Sequence, residues 1–331
     1  MGSRGSLVRL LVVSIAIVIT FSALAPTSFL TVGNFEFLAQ ATPEVALLSL
    51  GISLAMLAGG IDLSVVAIAN LAGIASGLVM VTPIGATGGG LALAILLGVA
   101  VAVVCGVING TLIAGLRVPP ILATLGTSQL YGGIGLVLSG GTAVSALPTA
   151  FTDFANITFA GVPLIFLLTL LLAGLVAFVV TATPVGVRIR LLGANAVAAE
   201  YSGISARRVT ISTYALTGGL AGVAGLIISS RASSADTNYG SSYILLGIVV
   251  AVLAGVNPDG GHITITGVIV AAIALQTLST GLTAVGVSSD VVSIAQGAFL
   301  IAMLAVNVYG GQVVPLFRRR RFRRAVEPAP A

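Results

Sequence analysis

Residues 183–208, TPVGVRIRLLGANAVAAEYSGISARR, form the one long polar island in the apolar interior of this chain. Four arginines, Arg188, Arg190, Arg207 and Arg208, flank a segment, Ala196–Ser202, that reads as a short helix. Asn195 offers a side-chain oxygen to the unsatisfied amides of a helix start, and Gly203 suits the left-handed residue that ends one. Apolar runs of bilayer width lead up to the island and away from it, so it sits between membrane spans. A two-turn helix held there is a device for passing force to another protein.

The chain of 331 residues is 57% hydrophobic and 7% charged, against roughly 25% charged residues in a soluble domain. So little charge cannot clothe a surface in water, which makes this an integral membrane protein. All 14 basic residues are arginine. Without a lysine the chain cannot finish the phosphate-binding loop of an ATPase, and Schiff-base chemistry is excluded for the same reason. The net charge of +5 does not speak for nucleic acid, because the arginines sit beside apolar spans. Cys105 lies in an apolar run and reads as a small buried hydrophobe. Nothing calls for a metal or an organic cofactor.

Runs of about 20 apolar residues cross the hydrocarbon as helices. Ten are read here: Leu7–Ala25, Val45–Ala58, Leu63–Val81, Leu91–Leu116, Ile121–Leu138, Val162–Ala182, Val209–Ser229, Tyr243–Gly255, Ile263–Val285 and Val291–Val308. An even number puts both termini, Arg117 and the island on one side. Arg4, Arg9, Arg117, the island arginines and the tail Arg318, Arg319, Arg320, Arg321, Arg323 and Arg324 then face the cytoplasm. Only Arg231 lies outside, so 13 of 14 arginines obey the positive-inside rule. The expected fold is all-α, a polytopic membrane protein of about ten transmembrane helices with cytoplasmic termini. One transmembrane domain covers residues 1–317, with 183–208 as its cytoplasmic loop, and residues 318–331 form a basic tail lying on anionic headgroups. The outer loops, Pro26–Pro43, Gly140–Gly161 and Ala232–Ser242, carry Glu36, Asp153 and Asp236 and offer a mildly acidic docking face. Ala23-Leu24-Ala25 resembles a signal-peptidase site, but the preceding run is longer than the usual 7–15 residues or so, and the first span is read as retained. Met1-Gly2 with Ser6 fits a myristoylation pattern that is common by chance.

Gly59-Gly60 follows an apolar run of about 14 residues, roughly 21 Å of helix. The break is therefore expected inside the membrane, with Asp62 just beyond it. Asp62 has two readings: an N-cap for the next helix, or a cap that also lines a solute pathway. Thr124, Thr127, Ser128 and Tyr131 share one helical face by their spacing, which serves either interhelical hydrogen bonding or contact with a polar solute. Asn70, Asn109, Gln276 and Gln296, in other apolar runs, carry the same two readings. Uncharged amides and hydroxyls suit a neutral, hydroxyl-rich solute better than an ion. A second short run, Tyr243–Gly255, ends in Gly255, Pro258, Gly260 and Gly261, a weak hint of an internal repeat. The 42 glycines allow close helix approach.

Several blocks, in order from about Glu44 to Val308, resemble the ribose-type sugar permeases of bacterial ABC importers. They are Gly59-Gly60-Ile61-Asp62-Leu63-Ser64, Asn109-Gly110, Arg117-Val118-Pro119-Pro120 and Thr124-Leu125-Gly126-Thr127, then Thr183-Pro184-Val185-Gly186, Gly193-Ala194-Asn195, Ala198-Ala199, Ser202-Gly203-Ile204, and Gly255 with Gly260-Gly261 and Gly267. The resemblance implies a permease subunit in the bacterial plasma (inner) membrane, not itself an enzyme. Its expected partners are a cytoplasmic ATP-binding subunit, an extracytoplasmic sugar-binding protein, a second permease copy or paralogue, and membrane lipid. It also makes the island the coupling loop, with Arg188, Arg190, Asn195, Glu200, Gly203 and Arg207 as candidates for docking the ATPase. Val66, the stretch Asn257-Pro258-Asp259 and His262 depart from the family pattern and leave the identity of the sugar open. The competing reading is an ion-coupled secondary transporter of a small polar solute, for which Asp62 is the one well-placed carrier.

Overall fold

The computed structural model describes residues 3–85 and 87–303. The basic tail, the end of the last expected run and the Met1-Gly2 motif lie outside the described residues. The element order is α1 (Ser3–Leu24), α2 (Pro26–Phe29), α3 (Val32–Leu57), α4 (Val65–Met80), α5 (Gly88–Gly115), α6 (Pro120–Leu138), α7 (Thr149–Thr152), a 3-10 turn (Asp153–Asn156), the hairpin β1 (Thr158–Phe159) and β2 (Val162–Pro163), α8 (Leu164–Ala182), α9 (Pro184–Ala194), α10 (Ala196–Tyr201), α11 (Ala206–Ala232), α12 (Tyr243–Leu253), α13 (Ile265–Ala284) and α14 (Ser289–Met303). In the antiparallel hairpin, Thr158 pairs with Pro163 and Phe159 with Val162. Seven helices (α1, α3, α5, α6, α8, α11 and α13) are long and apolar enough to cross a membrane, while α4, α12 and α14 are shorter apolar helices. The chain is an all-α polytopic membrane protein.

One expectation needs correction. The run Val45–Ala58 is only the later part of α3, which begins at Val32 behind a Thr31 cap whose hydroxyl accepts from the Asn34 amide at 3.2 Å. Pro43 sits inside the helix without ending it. A proline there removes one backbone bond and crowds the preceding turn; beside it, Thr42 donates its hydroxyl to the Leu38 carbonyl at 2.7 Å. Much of the expected outer loop Pro26–Pro43 is therefore helix. The 26 residues of α3 extend about 39 Å, so the Gly59-Gly60 break closes a full-length helix rather than interrupting a short one.

Every residue of α3 from Ala41 to Leu57 is buried, as expected of a helix apolar on all sides. The other helices gather around this post. α11, α12, α13 and α8 pack on α3, and α11 also lies along α4 and α5. Glycine makes that contact possible: a Cβ at Gly225 would sit 1.9 Å from the Ala69 carbonyl oxygen of α4, and one at Gly218 would sit 2.3 Å from that of Ala102 on α5. Side chains such as Val12 and Ile19 of α1, Leu93 and Leu96 of α5, and Leu171 and Phe178 of α8 point outward and are apolar. These are the faces hydrocarbon can cover.

After α11 the chain does not go straight into another long helix. Ser233 takes a left-handed turn (φ 53°), and Ala235 exchanges backbone hydrogen bonds with Val144 at 2.8 and 2.9 Å. The Asn70 side-chain amide of α4 donates to the Thr237 and Tyr239 carbonyls at 2.8 and 2.9 Å. Irregular backbone inside a bundle requires such partners. The following helix, α12, has 11 residues, about 16 Å.

Candidate functional site

The break between α3 and α4 is built from local chemistry. Gly59 is left-handed (φ 86°), and the Gly60 amide returns to the Ala55 carbonyl at 3.0 Å, a glycine-closed helix end. Two residues on, the Asp62 Oδ1 accepts from the Ser64 amide at 2.9 Å and from its hydroxyl at 2.6 Å. The N-cap of α4 is Ser64, not Asp62 as one of its two readings expected; Asp62 holds that cap residue by its amide and hydroxyl two positions on. It is also fully buried, and its Oδ2 has no hydrogen-bond partner among the described residues.

From Ser64 the network runs across the bundle. Asn109 of α5 donates to the Ser64 hydroxyl at 2.7 Å. The Tyr131 hydroxyl of α6 lies 3.1 Å from Asn109 Oδ1 and 3.0 Å from the Cys105 carbonyl, able to donate to either. Thr124 of α6 accepts from the Leu63 amide at 3.1 Å and donates to the Pro120 carbonyl at 2.9 Å. Thr127, one turn along, is buried and donates to the Thr124 carbonyl at 3.3 Å. Asp62, Asn109, Thr124 and Thr127 therefore form one cluster joining the break to α5 and α6. The Tyr214 hydroxyl of α11 is a second buried group with no partner among the described residues. It lies over Gly60, where a Cβ would come within 2.6 Å of it. Two other expected residues stand apart. Asn70 holds the segment after α11, and Gln276 lies half-buried on α13, whose main neighbours are α3 and α1.

The island holds the expected short helix, α10, and also a helix the sequence reading did not place, α9. Thr183 caps α9, accepting from the Gly186 amide at 3.4 Å. The Asn195 side-chain oxygen accepts from the Ala198 amide at 2.9 Å and starts α10. Gly203 (φ 79°) ends it, with the Ile204 amide returning to Ala199 at 3.0 Å. Arg188, Glu200 and Arg207 are exposed, and Arg190 is half-buried. Composition did not single out the apolar part of the outer face of α10, where Tyr201 is 90% and Val197 66% exposed. Beside this helix, Arg117, Pro119, Glu200, Ile204 and Arg207 help line a groove of about 800 Å³.

Behind the island lies a backbone junction. A Cβ at Gly193, near the end of α9, would stand 1.9 Å from the Leu57 carbonyl oxygen, and one at Gly260 would stand 2.4 Å from the Gly193 carbonyl oxygen. The Gly261 amide donates to the same Leu57 carbonyl at 3.0 Å. The Asn257–Gly260 turn is held by its own side chain, since Asn257 donates to the Gly260 carbonyl at 3.1 Å and accepts from the Asp259 amide at 3.2 Å. That gives the departure at Asn257-Pro258-Asp259 a structural role. The end of α9, the end of α3 and this turn thus meet backbone on backbone at Gly193, with the Ala194 methyl against Gly261, a few residues before Asp62.

Sequence reasoning missed one charge pair, of a half-buried arginine with a buried glutamate. Arg231, in the last turn of α11, pairs with Glu44 of α3, and the Tyr243 hydroxyl of α12 donates to the other Glu44 oxygen at 2.8 Å. The signal available was Arg231 itself, the lone arginine read outside, which had no stated counter-charge.

A buried polar cluster at a helix break thus lies a few residues from the backbone junction with the island and its capped helix α10. A profile of the family described as "Branched-chain amino acid transport system / permease component" matches residues 34–304, and this chain belongs to that family. It is similar to the autoinducer 2 import system permease protein LsrD of Salmonella typhimurium, 32% identical over 286 residues covering 84% of this chain and 85% of that protein. LsrD proteins of Yersinia pseudotuberculosis (31% over 290 residues, 85% and 86%) and Photorhabdus temperata (32% over 286 residues, 84% of each) are similar to the same extent. No solved structure matches the chain. It is a multi-pass permease of the bacterial inner membrane, and it is not itself an enzyme.

Proposed function

We propose that this chain is the permease subunit of an ATP-driven importer for a monosaccharide or a related small hydroxylated solute. In this reading a solute-binding protein delivers cargo at the outer face and a cytoplasmic ATP-binding subunit docks on the island. The similar LsrD proteins are named as import-system permeases for autoinducer 2, and the amide and hydroxyl groups at the break suit a neutral hydroxylated cargo. We assign ten spans, counting α4, α12 and α14, with both termini cytoplasmic. We assign residues 1–317 to one domain. A second permease, copy or paralogue, completes the pore.

The observation that carries the mechanism is the junction of Gly193, Leu57 and Gly260. α10 offers Tyr201 and Val197 as knobs for the ATP-binding subunit, with Glu200, Arg188, Arg190 and Arg207 as the polar rim, and Asn195 and Gly203 fix the helix that carries them. Closure of the ATPase dimer pushes α10 and α9. With backbone on backbone at Gly193, that push reaches the end of α3 undamped and re-aims the segment carrying Asp62. Asp62, Asn109, Thr124 and Thr127 form the part of the pathway that this movement reorganises. Asn70 acts through the segment after α11, and Gln276 lies on a separate wall. ATP can drive the switch only through its different affinity for the two states.

The test is radiolabelled-sugar uptake by proteoliposomes holding the permease, ATP-binding subunit and solute-binding protein. Uptake is expected to need all three. Tyr201→Ala is expected to cut it at least roughly ten-fold, the cost of losing one buried aromatic anchor at an interface, with the permease still monodisperse in detergent. Full uptake without the ATP-binding subunit, driven by a proton or sodium gradient, would overturn the reading.

A further inference from the structure

Among the described residues, the charged side chains lining the groove beside α10 are Arg117, in the turn between α5 and α6, Arg207, in the first turn of α11, and Glu200 of α10. Neither arginine forms an ion pair among the described residues. Arg117 has a left-handed backbone (φ 57°), uncommon for any residue but glycine. The turn that carries it is tied down by the Val118 amide, which returns to the Leu112 carbonyl at 3.3 Å. The rest of the lining is mixed: Ile113, Ala114, Val118 and Ile204 form apolar walls, and Ser205 and Thr210 bring hydroxyls. Leu116 precedes Arg117, and Ile121 and Leu122 follow it in the first turn of α6; all three are exposed. The apolar outer surfaces of α5 and α6 therefore continue up to the mouth of the groove. In the ten-span assignment this level is the cytoplasmic edge of the bilayer.

A guest that fits such a groove is anionic at one end, apolar at the other, and able to enter sideways from the membrane. We infer that the groove binds an anionic phospholipid of the cytoplasmic leaflet, its phosphate held between Arg117 and Arg207 and its glycerol end against Ile113, Ala114 and Val118. The planar guanidinium matches phosphate oxygens in pairs, and basic pockets between transmembrane helices on the cytoplasmic side take lipid headgroups. Charge also favours the lipid over a free phosphate. Two arginines and one glutamate leave the groove a net charge of +1, which a single phosphodiester balances, whereas Glu200 opposes a second negative charge. One lipid thereby ties the α5–α6 turn to the start of α11, beside the helix that the ATP-binding subunit would push. The site does not depend on what the permease carries.

The test places a photo-cross-linking residue at position 114 in the full-length chain, assembled with its importer partners in nanodiscs of phosphatidylcholine with a minor share of phosphatidylglycerol. Position 171 on α8 is the control, and adducts after irradiation are identified by mass spectrometry. Phosphatidylglycerol is expected to be enriched over its share of the disc at 114 and not at 171. Arg117→Gln is expected to lower that enrichment roughly five-fold, the loss of one arginine at an anionic lipid surface. Arg207→Gln should do the same, which keeps the test open if the first variant misfolds, and Arg117→Lys should retain part of the enrichment. Excess inorganic phosphate is expected to change nothing. Enrichment no greater than at 171, or untouched by both arginine variants, would leave only the ordinary lipid around any membrane protein. Competition by inorganic phosphate would make this a site for a soluble anion, and adducts with the ATP-binding subunit in place of lipid would make it a protein interface. Any of these results overturns the inference.

Discussion

Replacing Arg231 by Met is expected to destabilise the folded protein by about 3–5 kcal/mol, the usual cost of stranding one member of a buried ion pair. Glu44 would be left among α3, α11 and α12 with only the Tyr243 hydroxyl as a donor among the described residues. The reverse change, Glu44→Gln, is expected to cost less. Arg231 keeps 21% of its side-chain surface accessible against 7% for Glu44, so the freed guanidinium can reach water or headgroups, as long basic side chains do. A glutamine at position 44 still accepts from Tyr243. The double variant Glu44→Gln/Arg231→Met should recover most of the loss, because a neutral pair leaves no charge stranded. Thermal unfolding of the four proteins in one detergent gives the cycle. A double variant no more stable than Arg231→Met would show that the pair is not the reason for the loss.

What was legible in the sequence followed from local chemistry. Asn195, the short helix after it and Gly203 could be placed because a cap and a left-handed stop act within a few residues of themselves. The apolar runs could be placed because each α-helical span must satisfy its own backbone in lipid. Pro43 misled for the same reason: proline marks helix ends in most settings, and only the packing around α3 keeps the helix going through it. Glu44, next to that proline, looked like the edge of a span, when it is the buried partner of a residue in the last turn of α11. No local rule reveals such a pair. Asn70 and Asn109 drew attention as amides in apolar runs, but their spacing could not say that one holds irregular backbone and the other a serine at a helix break. Tyr201 was invisible as a knob because composition does not show which way a helix faces.

The junction behind the island permits the most demanding test of how the permease works. Gly193→Ala is expected to abolish coupled uptake, with a fall of at least about a hundred-fold, near 2.7 kcal/mol or more, within what overpacking a tight contact costs. The added methyl would press on the Leu57 carbonyl oxygen, 1.9 Å away, and on the Gly261 amide, 2.7 Å away. Neither can turn aside as a flexible side chain would, so α9 must lift off the end of α3. Gly203→Ala is the informative comparison. It lies on the same loop and strains a left-handed residue (φ 79°), yet no atom stands within 4 Å of its Cβ position, so its cost is expected to be only about 1 kcal/mol. If α9 transmits the push through this contact, Gly193→Ala should let the ATP-binding subunit bind and hydrolyse ATP while sugar stays outside. Gly203→Ala should retain most coupled uptake. Hydrolysis and uptake falling together in Gly193→Ala, with loss of the monodisperse detergent peak, would make the contact a matter of stability. Wild-type uptake by Gly193→Ala would show that the force takes another route to Asp62.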